Sequence, residues 1–142
     1  MRVPIVRNME GRYFAILNFN LTPPGFEDCF EDSLFYRRFQ QSQALGEFGP
    51  PDLTALTGNP NAMSARLVSL EPSRVCFNLL LGNSDHHCIQ LEIHPYGPFS
   101  DQLRTILNRD IQGYLKFRTM RTEIDEQMVV TKILGADFTT TP

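Results

Sequence analysis

Apolar residues recur with two different periods along the chain, and these periods separate candidate helices from candidate strands. Residues 12–21 are rich in aromatic and β-branched side chains and end at Thr-Pro-Pro-Gly, a pattern that predicts an amino-terminal strand. Residues 27–45 place apolar side chains four positions apart, with acids early and arginines late, which predicts a helix. Residues 101–115 carry a helical apolar stripe after Ser100, a favourable N-cap, and predict the second main helix.

In the second half of the chain, much of the apolar pattern has a period of two, which is typical of strands. Residues 65–70, 74–81 and 88–93 predict a three-stranded meander. Residues 117–124 and 128–134 predict a closing hairpin, although the first of these two segments could instead prolong the preceding helix.

Together these elements predict an α+β fold: one mostly antiparallel sheet, made of an N-terminal strand, the three-stranded meander and a C-terminal hairpin, with two main helices. We expect residues 1–142 to form one domain, because the length suits a single core and 42% of the residues are apolar. Residues 46–64 are rich in proline and glycine and predict a long surface loop, which is either a contact segment or a solvated connection. Residues 136–142 are expected to form a loose tail.

The location of the protein is constrained by its apolar runs and its cysteines. No run approaches the roughly 18–20 apolar residues that span a bilayer, and the first residues lack the apolar stretch of a signal peptide. Three cysteines are an odd number, which argues against a disulfide framework. These features predict an intracellular protein, in the cytoplasm or nucleus, that is neither secreted nor transmembrane.

Candidate chemistry centres on His86, His87 and Cys88, because all three histidines of the chain lie between positions 86 and 94. On a strand, His86 and Cys88 share a face while His87 points the other way, so the three side chains do not converge as zinc ligands must. The sequence also lacks a Gly-x-Ser-x-Gly motif and a phosphate-binding loop. We therefore predict no metal, no cofactor and no catalytic residues. A small enzyme or metal-binding protein that uses His86, His87 and Cys88 stays as the least favoured class.

Basic residues are concentrated in one segment of the chain, although the chain as a whole is slightly acidic. The net charge is −3, yet the chain uses 11 arginines against 2 lysines, and basic residues outnumber acids in one segment. The candidate residues for contact with RNA or an anionic membrane surface are Arg104, Arg109, Lys116, Arg118 and Arg121. In size, and in combining a sheet with a basic patch, the chain is similar to small matrix proteins of negative-strand RNA viruses. That similarity is one of type and rests on no residue motif. An ordinary solvated face is the alternative.

Aromatic residues are concentrated in the first third of the chain, where nine of the fifteen Phe and Tyr residues fall. In a helix over 27–45 the aromatic side chains would occupy more than one side. The sheet can bury only one of these sides, so we expect another surface to cover the remaining aromatic side chains. The candidate protein-contact residues are Phe30, Phe35, Tyr36, Arg37, Arg38 and Phe39, since aromatics and arginine are enriched in interfaces. Core packing alone is the alternative explanation of this pattern.

The leading functional hypothesis is a non-enzymatic structural, assembly or adaptor protein that acts through self-association or contact with a partner protein. The second is the structural protein that contacts RNA or an anionic membrane through the basic segment. No small-molecule substrate is indicated by the sequence.

Overall fold

One antiparallel sheet organises the residues that the structure describes. The computed structural model describes residues 1–48, 63–68, 88–109 and 111–141. Its strands are β1 (Arg2–Arg7), β2 (Tyr13–Asn18), β3 (Ala44–Glu47), β4 (Met63–Val68), β5 (Cys88–Pro95), β6 (Tyr114–Ile124) and β7 (Gln127–Thr139). Its α-helices are α1 (Phe26–Phe30), α2 (Leu34–Gln40) and α3 (Ser100–Leu107), and a 3₁₀ turn spans Phe19–Leu21.

The two end strands of the sheet come back together. The strand order is β3-β4-β5-β2-β1-β6-β7, and every pair of neighbours is antiparallel. Phe48, just after β3, forms a parallel bridge with Phe138 of β7, so the sheet is nearly barrel-shaped. Gly46 permits this approach, because a Cβ atom there would lie 2.5 Å from the carbonyl oxygen of Ala136 and 2.7 Å from the Phe138 ring.

The core lies on the concave side of the sheet and is rich in phenylalanine. Alternate residues of the strands point inward, as the pleat requires, and α1 and α2 pack against β7 and β3. Phe26 and Phe30 of α1 are fully buried, and both rings contact Phe117 of β6. The short first helices are therefore held by aromatic packing, since isolated helices of this length are unstable in water.

The predicted α+β class and mostly antiparallel sheet are confirmed. The N-terminal strand is present as β2, and the C-terminal hairpin is present as β6 and β7. A further strand, β1, precedes them and was not predicted. It pairs with β2 at Ile5↔Ala15 and with β6 at Val3↔Leu115.

The prediction of one helix over residues 27–45 is wrong, because the chain breaks into α1 and α2. Ser33 causes the break. Its hydroxyl donates to the carbonyl of Phe30 at 2.6 Å, closing α1, and accepts from the backbone N–H of Tyr36 at 3.0 Å, capping α2. Residues 44–47, which begin within the predicted helix, form β3 instead.

The second main helix is shorter than predicted, ending at Leu107 rather than at residue 115. Residues 114–124 are β6, so the alternative in which they prolong the helix is also wrong. The expected loose tail is wrong as well, since Ala136, Asp137 and Phe138 are buried in β7. The apolar alternation at the C-terminus extends the hairpin instead.

The predicted meander is only partly within the described residues. Its first and third segments are β4 and β5, which pair directly with each other at Leu67↔Ile93. The expected order placed residues 74–81 between them. That segment, and residues 49–62 of the predicted loop, lie outside the described residues.

Candidate functional site

Half of the predicted protein-contact set belongs to the core. Phe30, Phe35 and Phe39 are 0%, 3% and 1% exposed, so their assignment to a contact surface is wrong. Phe30 packs against Phe35, and Phe35 stacks with Phe39 at a centroid distance of 6.3 Å. The break at Ser33 separates the two helices, so that Phe30 on α1 and the pair Phe35 and Phe39 on α2 all reach one core. Core packing, the alternative explanation, accounts for all three.

The other members of that set lie at the surface. Tyr36 is half-buried, with its ring 5.0 Å from that of Phe30, while Arg37 and Arg38 are exposed. Leu34, which begins α2, has 55% of its surface exposed. What remains of the predicted surface is thus a small, mostly charged part of α2.

The predicted basic patch is divided among three places. Arg104 and Arg109 belong to α3 and the turn that follows it, and both are exposed. Lys116 lies on β6 opposite Arg2 of β1, so it is not part of the helix that carries Arg104. Arg121 lies further along β6, toward the hairpin turn. Of the predicted patch, Lys116 and Arg121 stay together, because both, like Arg2, are close enough to Met1 to lower the pKa of its amino group.

Arg118 leaves the patch because it lies in a buried ion cluster. Its Nη2 lies 2.6 Å from Glu47 Oε2 and 2.9 Å from Asp137 Oδ2, and its side chain is only 13% exposed. The backbone N–H of Glu47 also donates to Asp137 Oδ1 at 3.2 Å. The cluster therefore joins β3, β6 and β7 where the sheet closes.

Among the described residues, the cluster joins two carboxylates to one guanidinium, and both burial and these contacts shift pKa values within it. Burial raises the pKa of Asp137. This effect is larger than that of the hydrogen bonds from the Glu47 backbone and from Arg118, which lower the pKa. Burial would lower the pKa of Arg118, but its hydrogen bonds and charge interactions with Glu47 and Asp137 raise it overall. The contacts with the guanidinium thus offset part of the cost of burying the two acids.

A groove of about 650 Å³ lies beside this cluster. It runs between α1–α2, β3 and the β6–β7 hairpin, and its charged lining residues are Asp28, Asp32, Arg38, Arg118, Lys132 and Asp137. Cys29 also lines it and donates its thiol to the carbonyl of Val130 at 3.3 Å. Because both signs of charge line the groove, it does not select one class of charged ligand.

The outer part of the β6–β7 hairpin is the most exposed apolar feature of the strands. All side chains of residues 120–128 are exposed, among them Met120, Ile124 and Met128 at 45%, 49% and 52%. The turn is formed by Asp125 and Glu126, whose φ angles of 51° and 65° match the right-handed twist of a two-residue hairpin.

One backbone edge of this hairpin lacks a strand partner among the described residues. β1 pairs with β6 only as far as Lys116, and the last backbone contact is from the N–H of Phe117 to the carbonyl of Met1 at 3.2 Å. On the other edge, the backbone N–H of Val130 donates to the Pro24 carbonyl at 2.8 Å. Among the described residues, no strand pairs with this edge of β6 from Thr119 to Ile124, where another strand could add.

The predicted His/Cys group is mostly outside the described residues. His86 and His87 are not among them, while Cys88 is buried at the start of β5 opposite Asn18. Within the described residues, no three His, Cys, Asp or Glu side chains are grouped as metal ligands would be. None of the helices in the described part of the chain combines the length and apolar character that crossing a membrane requires.

Comparison of the chain with protein-family models, curated proteins and solved structures gave no match in any of the three.

Sequence reasoning missed Glu47, Asp137 and the hairpin surface. Glu47 lay in the expected loop and Asp137 in the expected tail, so nothing placed them beside Arg118. The hairpin carried a detectable signal, because apolar and charged residues alternate from Met120 to Ile124 as in a strand with two exposed faces.

Proposed function

We propose that this chain is a non-enzymatic assembly or adaptor protein that acts through protein–protein contacts made by the β6–β7 hairpin. The observation that carries the proposal is the open edge of β6 beside the exposed side chains of Met120 and Ile124. Proteins usually cover or shorten such edges, and an uncovered one is a template for strand addition. The proposed contact replaces the aromatic surface, whose phenylalanines are buried.

Site-specific photo-crosslinking tests this proposal. A photo-reactive phenylalanine at position 122, in the open edge, should give discrete protein adducts in cells that express the chain. The same residue at position 104, exposed on α3, is the matched control and should give none. Adducts at neither position, or equal adducts at both, would contradict a contact role for the hairpin.

A second candidate function is contact with RNA or an anionic membrane through Arg2, Lys116 and Arg121. It is supported by the position of Lys116 directly opposite Arg2. Burial lowers the pKa of the Met1 amino group, and three neighbouring positive charges lower it further: Arg121, Arg2 and Lys116. These residues form a smaller patch than the sequence predicted, without Arg118.

We expect such binding to weaken steeply as salt concentration rises, because it would depend on counterion release. The measurement is titration of the protein with phosphatidylserine vesicles and, separately, with single-stranded RNA over a salt series. Lys116→Glu should reduce binding about tenfold or more, as its charge reverses within the patch, while Arg104→Glu should change it little. Absence of binding to both probes at low salt would remove this candidate.

A further inference from the structure

We infer that the partner strand at the open edge of β6 is β6 of a second copy of this chain, paired antiparallel about a two-fold axis at Thr122. The inference rests on the proposed function and names its partner. It follows from three features of the hairpin: the direction of its backbone groups, the order of its side chains and the charge of its turn.

The backbone sets which residues can pair. The N–H of Phe117 points away from β7, toward Met1. The two register shifts of this hairpin each skip a residue of β7, Leu134 and Thr131, so the alternation continues along β6. Arg121 and Glu123 therefore also direct their backbone groups to the open edge. An axis at Thr122 places Arg121 opposite Glu123 of the second copy. The backbone N–H and C=O groups of both residues point to the shared edge, so they can form hydrogen bonds with each other. Both ladders of hydrogen bonds are then complete.

The side chains are complementary in the same register. The segment reads Met120, Arg121, Thr122, Glu123, Ile124, so a two-fold axis at its centre pairs Arg with Glu and Met with Ile. Met120 and Ile124 lie on one face of β6, opposite Lys132 and Gln127 of β7. Arg121 and Glu123 lie on the other face. The joined strands would thus have an apolar row on one face and two ion pairs on the other.

Neighbouring registers oppose like charges. An axis at Arg121 would place the two Arg121 side chains opposite each other, and an axis at Glu123 would do the same with the two glutamates. The charges on this edge therefore favour the axis at Thr122 over the two neighbouring registers.

The charge of the turn fits this arrangement. Met1 lies beside Phe117, at one limit of the proposed contact. In the proposed register the second copy's turn, Asp125 and Glu126, reaches residues 118–119 and stops next to Met1. This brings an acidic turn toward Arg2 and Lys116, which are opposite each other at the neighbouring position. The charges of the turn and of the β1–β6 junction are opposite in sign.

Charge exchange between two variants tests the pairing. In light scattering over a concentration series, the full chain should reach the mass of a dimer. Arg121→Glu alone and Glu123→Arg alone should each raise the dissociation constant by about tenfold or more, because symmetry doubles every like-charge contact. An equimolar mixture of the two variants should dimerise again, since two acidic side chains of one copy then face two arginines of the other. Arg104→Glu is the control of equal charge change.

The outcomes separate this inference from the proposed function. A full chain that stays monomeric, a dimer that survives both reversals, or a mixture that does not recover would each overturn the pairing. Hairpin crosslinks to a different protein would overturn it as well, while leaving the contact role of the hairpin supported. Circular dichroism of each variant, and recovery in the mixture, show that the substituted chains are folded.

Discussion

Phe30→Ala should destabilise the protein by about 3–5 kcal/mol, the loss typical of deleting a fully buried phenylalanine ring. Phe30 is 0% exposed, and its ring lies 5.0–6.5 Å from the rings of five other aromatic residues: Phe19, Phe26, Phe35, Tyr36 and Phe117. These come from both short helices, the 3₁₀ turn and β6. The cavity cannot close by a local shift, because four of these five neighbours lie on elements other than α1.

The measurement is equilibrium unfolding in urea, with circular dichroism as the signal. Leu34→Ala is the matched control on the same segment, since Leu34 is 55% exposed and should lose no more than about 0.5 kcal/mol. A loss below about 1 kcal/mol for Phe30→Ala would mean that the ring is not at the centre of the core. It would also reopen the interpretation of Phe30 as a contact residue.

Arg118→Met should cost about 3–5 kcal/mol at pH 7, because it removes the guanidinium that pairs with two buried carboxylates. Glu47 and Asp137 both lie within 3 Å of the guanidinium, and their own side chains are 4% and 7% exposed. Methionine retains much of the volume, so the loss is mainly electrostatic. Arg104→Met, on the surface of α3, is the control and should change stability by less than about 0.5 kcal/mol.

The pH dependence distinguishes this cause from a packing defect. Burial already holds the pKa of Asp137 above its usual value, and removing the guanidinium takes away contributions that lower it. Between the ordinary aspartate pKa and the raised one, Asp137 therefore holds a proton in the folded variant that it has lost in the unfolded chain. Its stability falls as pH rises through the interval between the ordinary and the raised pKa.

The deficit of Arg118→Met relative to the unsubstituted chain should consequently be smaller at pH 5 than at pH 7. Urea unfolding at the two pH values measures it. Equal deficits at both would show that the carboxylates are not what destabilises the variant.

The parts of the fold that could be predicted are those determined by local pattern. The period-two alternation in β2 and in the hairpin is visible without knowing the neighbouring strands, and so is the helical stripe that begins after Ser100. The boundaries failed where one polar residue has two roles. Ser33 lies within a helical pattern, yet its hydroxyl ends α1 and begins α2.

The candidate sites were harder to predict, because they depend on contacts between distant segments. Arg118 resembles Lys116 and Arg121 in sequence, and only the approach of Glu47 and Asp137 makes it a buried partner. Phe30, Phe35 and Phe39 have the composition of an interface, but the turn at Ser33 directs them into one core. The residue types are those of contact surfaces, but burial of Arg118 and of the three phenylalanines excludes them from such surfaces.

The seam between β3 and β7 has a consequence for how the chain reaches its native state. The contact from the Glu47 backbone to Asp137 joins residues 90 positions apart, and that from Arg118 to Glu47 spans 71. The β6–β7 hairpin, in contrast, needs only a two-residue turn to form. Because closing a long loop costs entropy before the contact repays it, the hairpin should form early and the seam late. An incompletely folded chain would then present the open edge of β6 before Glu47 and Asp137 have met Arg118. The association between copies that we propose would in that case compete in time with closure of the sheet.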